Sequence, residues 1–550
     1  MTDFSLDVVD AADLERTWEL DDMHMPFALT PLAADYIAKA LGVSFDHHYR
    51  LFGGTQTLEP RVWHGYVYFG FLWNVSTEEE DASKAAWTAA LRARIPVTTA
   101  YWRDEAIPEL QGLYDSITSI AVDELEPAAL VDAWRGAWAA TLRAWQIHFV
   151  SIMGPYQVLE DLADQYGAAM GPGHDVEALT LTRGAAQELE AVEGEIQALA
   201  AMLLASPALA DAVAALAASS ANKRAGEREG DGAEIDRDAV RATPGGPAFL
   251  DALEALLLRH GHLGQNHDDL RDASWAEAPS TLLANITQRL SASGPAPSER
   301  LAEQQRVADE RAAAARAALA DRPDELARFE TTLALAREIG YLTEGHNYWI
   351  DRMAQARLRG LVMRIARRLA REGVIERADD VFFLGRDEIA DAIVDPQARH
   401  ELVRERRAAF ERQRGMRPPR YVGRVPNDTG PADRFDSARI DATAPDELRG
   451  TGASAGVVRG RARLVESQDA FGAVQPGDII VCPASNPSWV PVFTIAGGLV
   501  TNTGGVLSHA AVVAREFGLP AVVGVAGATT KIADGRLVEI DGTAGTVRLL

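Results

Sequence analysis

The sequence predicts a multidomain chain in which a large, mainly α-helical domain is followed by a compact C-terminal domain of mixed β and α structure. Three observations carry this reading. Apolar residues recur at helical spacing across much of residues 130–218 and 248–374, with Trp134, Trp138, Leu142 and Trp145 marking one face. Residues 415–447 lose that pattern and gather Arg417-Pro418-Pro419-Arg420 with several Asp, Ala and Pro. Beyond them, short β-branched runs alternate with Gly-rich turns.

The bulk numbers bound the rest. A chain of 550 residues, 47% of them hydrophobic, has room for several domains. A formal net charge of −26 repels phosphate backbones and anionic lipid, so neither nucleic acid nor membrane is expected as a partner. The cations are almost all Arg; Lys39, Lys84, Lys223 and Lys531 are the only lysines, which leaves few candidates for lysine-dependent nucleotide binding. The single cysteine, Cys482, excludes a disulfide within the chain and a Cys-rich metal site. The acidic start, Met1-Thr2-Asp3-Phe4-Ser5-Leu6-Asp7, lacks a signal-peptide core, and no apolar run reaches spanning length. The expectation is a soluble cytoplasmic protein with no metal site.

Taken in order, residues 1–130 are dense in aromatics, including Trp18, Tyr36, Trp63, Tyr68, Trp87 and Trp102. The Ala/Leu-rich run 191–218 is a good helix former. Residues 219–247 are polar, charged and closed by Gly and Pro, which reads as a mobile loop. The Ala/Arg/Glu-rich stretch 301–320 reads as a solvated helix. The domains are therefore expected at 1–440 and 451–550, joined by a linker at 441–450. In the second domain Pro476-Gly477-Asp478 is a turn before the strand Ile479-Ile480-Val481-Cys482. Gly498-Leu499-Val500-Thr501 and Ala521-Val522-Val523-Gly524 read as strands, and Asp541-Gly542-Thr543 as the turn of a final hairpin.

Between those strands lies a histidine at a helix start. Gly504-Gly505 permits a tight loop with the backbone close to a ligand, and Ser508 is a suitable N-cap, so His509 falls in the first turn. Ala510, Val513, Ala514 and Phe517 give an apolar stripe, and Gly518 and Pro520 end the helix. A neutral imidazole is nucleophilic, and the free N–H groups of a helix N-terminus stabilise a transferred phosphoryl group. Arg515 is a candidate further partner for phosphate oxygens.

This run resembles the phosphohistidine signature of the phosphoenolpyruvate-utilising enzymes. Thr501, Gly504-Gly505, Ser508-His509-Ala510-Ala511, Ala514-Arg515-Glu516, Gly518, Pro520 and Gly524 fall where that family has them. The resemblance implies a C-terminal β/β/α phosphohistidine swivelling domain. His509 would be the phosphoryl carrier, and Gly504, Gly505, Ser508 and Arg515 would surround the phosphate. Leu507 stands where plant-type pyruvate phosphate dikinases have a regulatory threonine, so that control is not expected.

The preceding region more weakly resembles the acceptor-binding domain of rifampicin phosphotransferase-like and phenylphosphate synthase-like dikinases. The matching pieces are the run from Trp18 through His24 to Pro26 with Pro31, Gly261-His262 through Trp275, and Asp379-Asp380-Val381-Phe382-Phe383-Leu384. Residues 1–440 show no Gly-rich phosphate loop followed by a suitable lysine. The resemblance therefore implies one subunit of a split dikinase. A separate ATP-grasp subunit would use ATP and Mg2+ to phosphorylate His509, and this chain would hold no tightly bound cofactor.

The aromatic density of 49–102 and 341–349 favours a small aromatic acceptor, and the resemblance points to a phenol, for example of the 4-hydroxyacetophenone type. Trp63 and Trp102 are expected pocket walls. The densest polar set is His260-Gly261-His262-Leu263-Gly264-Gln265-Asn266-His267-Asp268-Asp269. His262 and His24 are candidate bases. His260, His267, Glu344, His346, Trp349 and Arg352 are candidate acceptor contacts, with Glu344, Tyr348 and Arg352 on one helical face. His47, His48, His64, His148, His174 and His400 lack supporting context and read as structural or surface residues. Two alternatives stand beside this reading: a rifamycin-like antibiotic as acceptor, and an inactive regulatory or scaffold protein.

Overall fold

The computed structural model describes residues 4–22, 25, 27–73, 75–171, 174–182, 187–226, 237–264, 269–291, 297–425, 446–465, 468–485, 489–493, 495–505 and 508–550. His24 and His267 lie outside the described residues. Of Glu344 and His509 only the backbone is described.

The first domain is helical around one small sheet. Strands β1 (Thr17–Leu20), β2 (Gln56–Trp63), β3 (Tyr66–Trp73) and β4 (Tyr421–Gly423) run antiparallel in the order β2-β3-β1-β4. His64 and Gly65, at φ 52° and 78°, form the two-residue turn between β2 and β3, which needs positive φ at both positions to match the strand twist. Gly70 on β3 lies against the fully buried Trp18 ring, where a Cβ would come within 2.8 Å of it. The guanidinium groups of Arg16 and Arg61 each sit 4.4 Å from that ring. Strand β4 comes from the segment expected to be loop, so the chain returns to this sheet before leaving the domain.

Helices Pro31–Leu51 and Pro127–Met170 pack beside the sheet and on each other. The predicted stripe holds: Trp134, Trp138 and Trp145 are all buried. The 191–218 run is broken where Pro207 starts a new helix, giving Gln187–Leu204 and Pro207–Gly226. The expected loop at 219–247 is thus partly helical, through Gly226 and again at Asp238–Arg241. Helix Pro297–Ala318 is solvated on one side only. Gln304, Ala308, Ala312 and Ala315 bury a stripe of small residues at helical spacing.

Helix Met353–Arg371 fastens neighbouring loops through guanidinium groups. Arg359 donates to the Leu270 and Arg271 carbonyls at 2.8 and 2.7 Å and to Glu277 at 2.9 Å. Arg364 donates to the Ile117 and Ile120 carbonyls, and Arg368 to those of Val122 and Leu125. One arginine can satisfy several carbonyls because its donors are splayed in a fixed plane.

The C-terminal domain is a mixed sheet of β5 (Glu447–Arg449), β6 (Thr451–Ser454), β7 (Val457–Leu464), β8 (Ile479–Cys482), β9 (Gly498–Thr501), β10 (Ala521–Val523), β11 (Leu537–Asp541) and β12 (Thr546–Leu549). Its order is β5-β12-β11-β7-β8-β9-β10-β6. Strands β7 to β10 are parallel in sequence, and the others pair antiparallel. Strand β5 lies within the expected linker, so the sheet begins earlier than residue 451. One apolar core gathers Trp489, Phe493, Ala510 and Ala514, and a second gathers Ile532, Val538 and Ile540. Among the described residues no single helix is long and apolar enough to cross a membrane.

Gly542 closes the last hairpin against the backbone of β6 and β10. A Cβ there would lie 1.9 Å from the Ser454 carbonyl oxygen and 2.7 Å from the Ala521 nitrogen. Backbone cannot yield as a flexible side chain can. Gly542→Ala is therefore expected to destabilise the C-terminal domain by about 3 kcal/mol. Limited proteolysis should cut that domain first while the helical domain keeps its unfolding midpoint.

Candidate functional site

The histidine loop is built as its sequence indicates. Strand β9 ends at Thr501, the chain turns through Gly504 at φ 104°, and helix His509–Glu516 begins with Ser508 in extended conformation at the N-cap position. A Cβ on Gly504 would meet the Ser508 hydroxyl at 2.8 Å, so glycine is needed both for the backbone angle and for room. Gly505 accepts from the Ser508 N–H at 3.0 Å, which tightens the turn before the helix. Ser508 makes no side-chain capping bond, and its Oγ is buried without a hydrogen-bond partner among the described residues. The Ser485 Oγ is in the same condition. Ser485 follows the strand end to which the loop is tied, through Asn502 N–H to the Cys482 carbonyl at 3.0 Å and Thr503 N–H to that of Pro483 at 3.2 Å. The Ser508 hydroxyl at a helix N-terminus suits an anion. Ser485 had no signal in the sequence.

Arg515 takes a different position from the one expected. It is buried, and its Nη1 donates to the Ala453 carbonyl of β6 at 3.0 Å. Six residues carry it about 9 Å along the helix axis from His509. It ties the last turn of the helix to the sheet.

The loop is docked on the helical domain. Thr503 Oγ1 donates to the Asp22 carbonyl at 3.1 Å. Gln304 reaches the Arg515 carbonyl at 3.5 Å, and the turn Val490–Phe493 packs on helix Pro279–Gln288. The Asp21–Thr30 segment meets the 260–277 segment through Asp269, which accepts from Thr30 N–H and Oγ1, each at 2.8 Å. The 260–277 segment is itself a closed loop, with Trp275 N–H bonded to the Leu263 carbonyl at 2.6 Å and Ala276 N–H to that of Gly261 at 2.9 Å. Three stretches singled out in the sequence therefore converge.

At the base of that loop two further candidate stretches meet. His260 Nδ1 lies 2.9 Å from the Tyr348 hydroxyl, and its Nε2 lies 3.4 Å from Glu195. The His262 ring stands edge-on to Tyr348 with centroids 4.4 Å apart, and its Nε2 is buried without a hydrogen-bond partner among the described residues. Trp349 Nε1 donates to Glu188 Oε1 at 3.2 Å, and Oε2 of that carboxyl is buried without a hydrogen-bond partner among the described residues. Burial lowers the His262 imidazole to about 3, helped by the nearby charges of Arg357, His260 and Arg352. Burial also lowers His260, with Glu195 opposing it. Burial raises the Glu188 carboxyl, and raises the Tyr348 phenol to about 12 with Glu188 and Glu195 adding to it. The result is a buried cluster in which the imidazoles and the phenol are held neutral beside the Glu195 carboxylate, itself paired with Arg259. Glu188, Glu195 and Tyr348 complete what the histidines alone suggested; Glu188 and Glu195 lie in a helix whose composition hid them.

Other expected contacts separate from this cluster. Trp63 is buried edge-on to Trp18, and Trp102 is buried in a second apolar core, so neither lines a pocket. Their large apolar area is used in packing. His346 faces His148 and Asp351 instead. Asn347–Arg352 is a π-helical turn, whose i→i+5 bonding shifts the face on which Glu344, Tyr348 and Arg352 were expected to align. Arg352 is buried within the electrostatic reach of both His262 and Asp351.

The chain's relatives agree with this division. Residues 474–545 match the PEP-utilising enzyme mobile domain, and residues 149–344 match the rifampicin phosphotransferase fourth domain. The C-terminal domain is thus a phosphoenolpyruvate-utilising enzyme mobile domain, and a little over half of the chain resembles rifampicin phosphotransferases. The chain is 28% identical over 563 residues to the chondramide synthase of Chondromyces crocatus, covering 98% of this chain and 14% of that protein. It is 24% identical over 549 residues to an uncharacterized phosphotransferase of Bacillus subtilis, covering 98% of this chain and 62% of that protein. It is 34% identical over 325 residues to the rifampicin phosphotransferase of Streptomyces sviceus, covering 57% of this chain and 36% of that protein. The chain spans less than two thirds of the length of each.

A buried neutral histidine makes stability depend on pH in a defined sense. His262 titrates near 3 in the folded chain and near its ordinary 6.5 when unfolded. Its contribution is complete above 6.5 and is lost as pH falls toward 3, by at most about 1.4 kcal/mol per pH unit. Denaturant midpoints measured between pH 7 and 4 should fall more steeply for the native chain than for His262→Gln.

Proposed function

We propose that this chain is a phosphotransferase that carries a phosphoryl group on His509 and passes it to the hydroxyl of a small aromatic, phenol-class acceptor bound near His262 and Tyr348. The observation that carries this reading is the docking of the histidine loop on the helical domain, through Thr503 and Asp22, at the edge of the Asp269-centred junction. The mobile-domain match supports the carrier step, and the match at 149–344 supports an acceptor role for the helical part.

In the transfer step the acceptor oxygen forms a bond to phosphorus as the N–P bond to His509 breaks. The hydroxyl proton goes to a nearby base, for which His262 Nε2 and Glu188 Oε2 are the unbonded candidates. The imidazole leaves with its ring electrons restored. The donor is an ATP-grasp partner that uses ATP and Mg2+, and in a dikinase the remaining products are AMP and phosphate. Two transfers in different pockets need a moving carrier.

A second reading makes a rifamycin-like antibiotic the acceptor. It is favoured by the match of residues 149–344 to the rifampicin phosphotransferase fourth domain.

Intact-mass spectrometry at neutral pH with ATP, Mg2+ and an ATP-grasp partner tests the first step. One acid-labile phosphoryl group should be gained by the native chain and not by His509→Ala. A gain that survives in His509→Ala would refute the carrier assignment. Discharge by phenols or by a rifamycin decides between the two acceptors. His262→Ala and Tyr348→Phe should load normally yet discharge about 100-fold or more slowly, the usual cost of losing a positioned proton-transfer group.

A further inference from the structure

We propose that His148, His346 and Asp351 form a binding site for one divalent transition ion of the zinc class. All three residues are buried, and one ligand atom from each lies within 4.8 Å of the others. They come from two parts of the fold: His148 from the long helix Pro127–Met170, and His346 and Asp351 from the 342–352 segment, His346 ending the helix Leu342–His346 and Asp351 lying in the π-helical turn that follows.

The orientations suit a metal. His346 Nδ1 donates to the Leu342 carbonyl at 2.7 Å, which orients the ring beside the other two residues. His148 stacks on Trp145 at 5.0 Å and meets Phe149 edge-on at 4.5 Å, so its ring plane is set by packing. The two imidazoles stand at 84° with centroids 4.5 Å apart. His148 Nε2 lies 3.3 Å from Asp351 Oδ1, close to the edge of a tetrahedron whose bonds are about 2.0–2.1 Å. That contact is at ion-pair distance, and among the described residues neither Asp351 Oδ1 nor His148 Nδ1, both buried, has a partner of ordinary hydrogen-bond geometry.

The π-helical turn is a second, independent pointer. His346 and Asp351 are five residues apart, a spacing that an α-helix turns away from one face. The i→i+5 pattern brings them together, and such turns recur at functional sites. Two imidazoles and one carboxylate favour zinc, cobalt, iron or manganese over magnesium or calcium, which take oxygen ligands. The site stands apart from the phosphotransfer reading: neither needs the other.

The test uses the full chain stripped with chelator. Cobalt(II) absorption in the visible and zinc(II) calorimetry are followed for the native chain, His346→Ala, Asp351→Asn and the control His174→Ala, whose histidine is half exposed beside Glu177. Circular dichroism checks that each variant folds, and His346→Gln replaces His346→Ala if it does not. The expected result is one ion per chain, bound at least about 100-fold more weakly in His346→Ala and Asp351→Asn and unchanged in the control. No binding to the folded native chain, or native affinity in either ligand variant, would overturn the proposal.

Discussion

The arrangement depends on one buried carboxylate. Asp269 accepts two hydrogen bonds from Thr30 and a third from the Arg271 N–H at 2.9 Å. These bonds hold the N-terminal segment against a loop that lies far along the chain. A buried carboxylate is tolerated when its oxygens are satisfied, and removing its partners leaves a costly charge behind. The junction therefore has one well-defined geometry. Arg359 supports it from below by holding the Leu270 and Arg271 carbonyls, so the loop is fixed at both its side chain and its backbone.

Among the described residues the C-terminal domain meets this platform partly through polar contacts. Thr503 and Gln304 reach across to backbone carbonyls, which are present whatever side chains evolve around them. The turn Val490–Phe493 adds packing on helix Pro279–Gln288. The apolar cores of the two parts are built from separate sets of residues.

Much of the C-terminal domain was legible in the sequence because its signals are local. Gly504, Ser508 and Gly518 report backbone angles and helix ends, and their neighbours alternate with the period of strands and then of a helix. The site in the helical part was legible only as separate candidate stretches. His262 and Trp349 could be named, yet nothing local ties them to Glu188. Trp63 and Trp102 misled for the same reason: an aromatic side chain reads alike in a core and in a pocket until its neighbours are known. Arg515 ties the last turn of its helix to the sheet, a contact that its closeness to a histidine in sequence does not foresee. His148 and Asp351 were passed over because they meet across two elements distant in sequence, and Asp351 joins His346 only through a π-helical turn that ordinary helical spacing does not foresee.

The fastening of loops by Arg359, Arg364 and Arg368 bears on how the protein meets amine-directed reagents. A guanidinium, with its charge delocalised over a plane, is a far poorer nucleophile than an amine. Such reagents find only four lysines in the chain, and none of them makes these ties. The cross-ties of the helical domain are thus indifferent to acylation, and labelling at the exposed Lys39, Lys84 and Lys531 would report on the surface without loosening the frame beneath it.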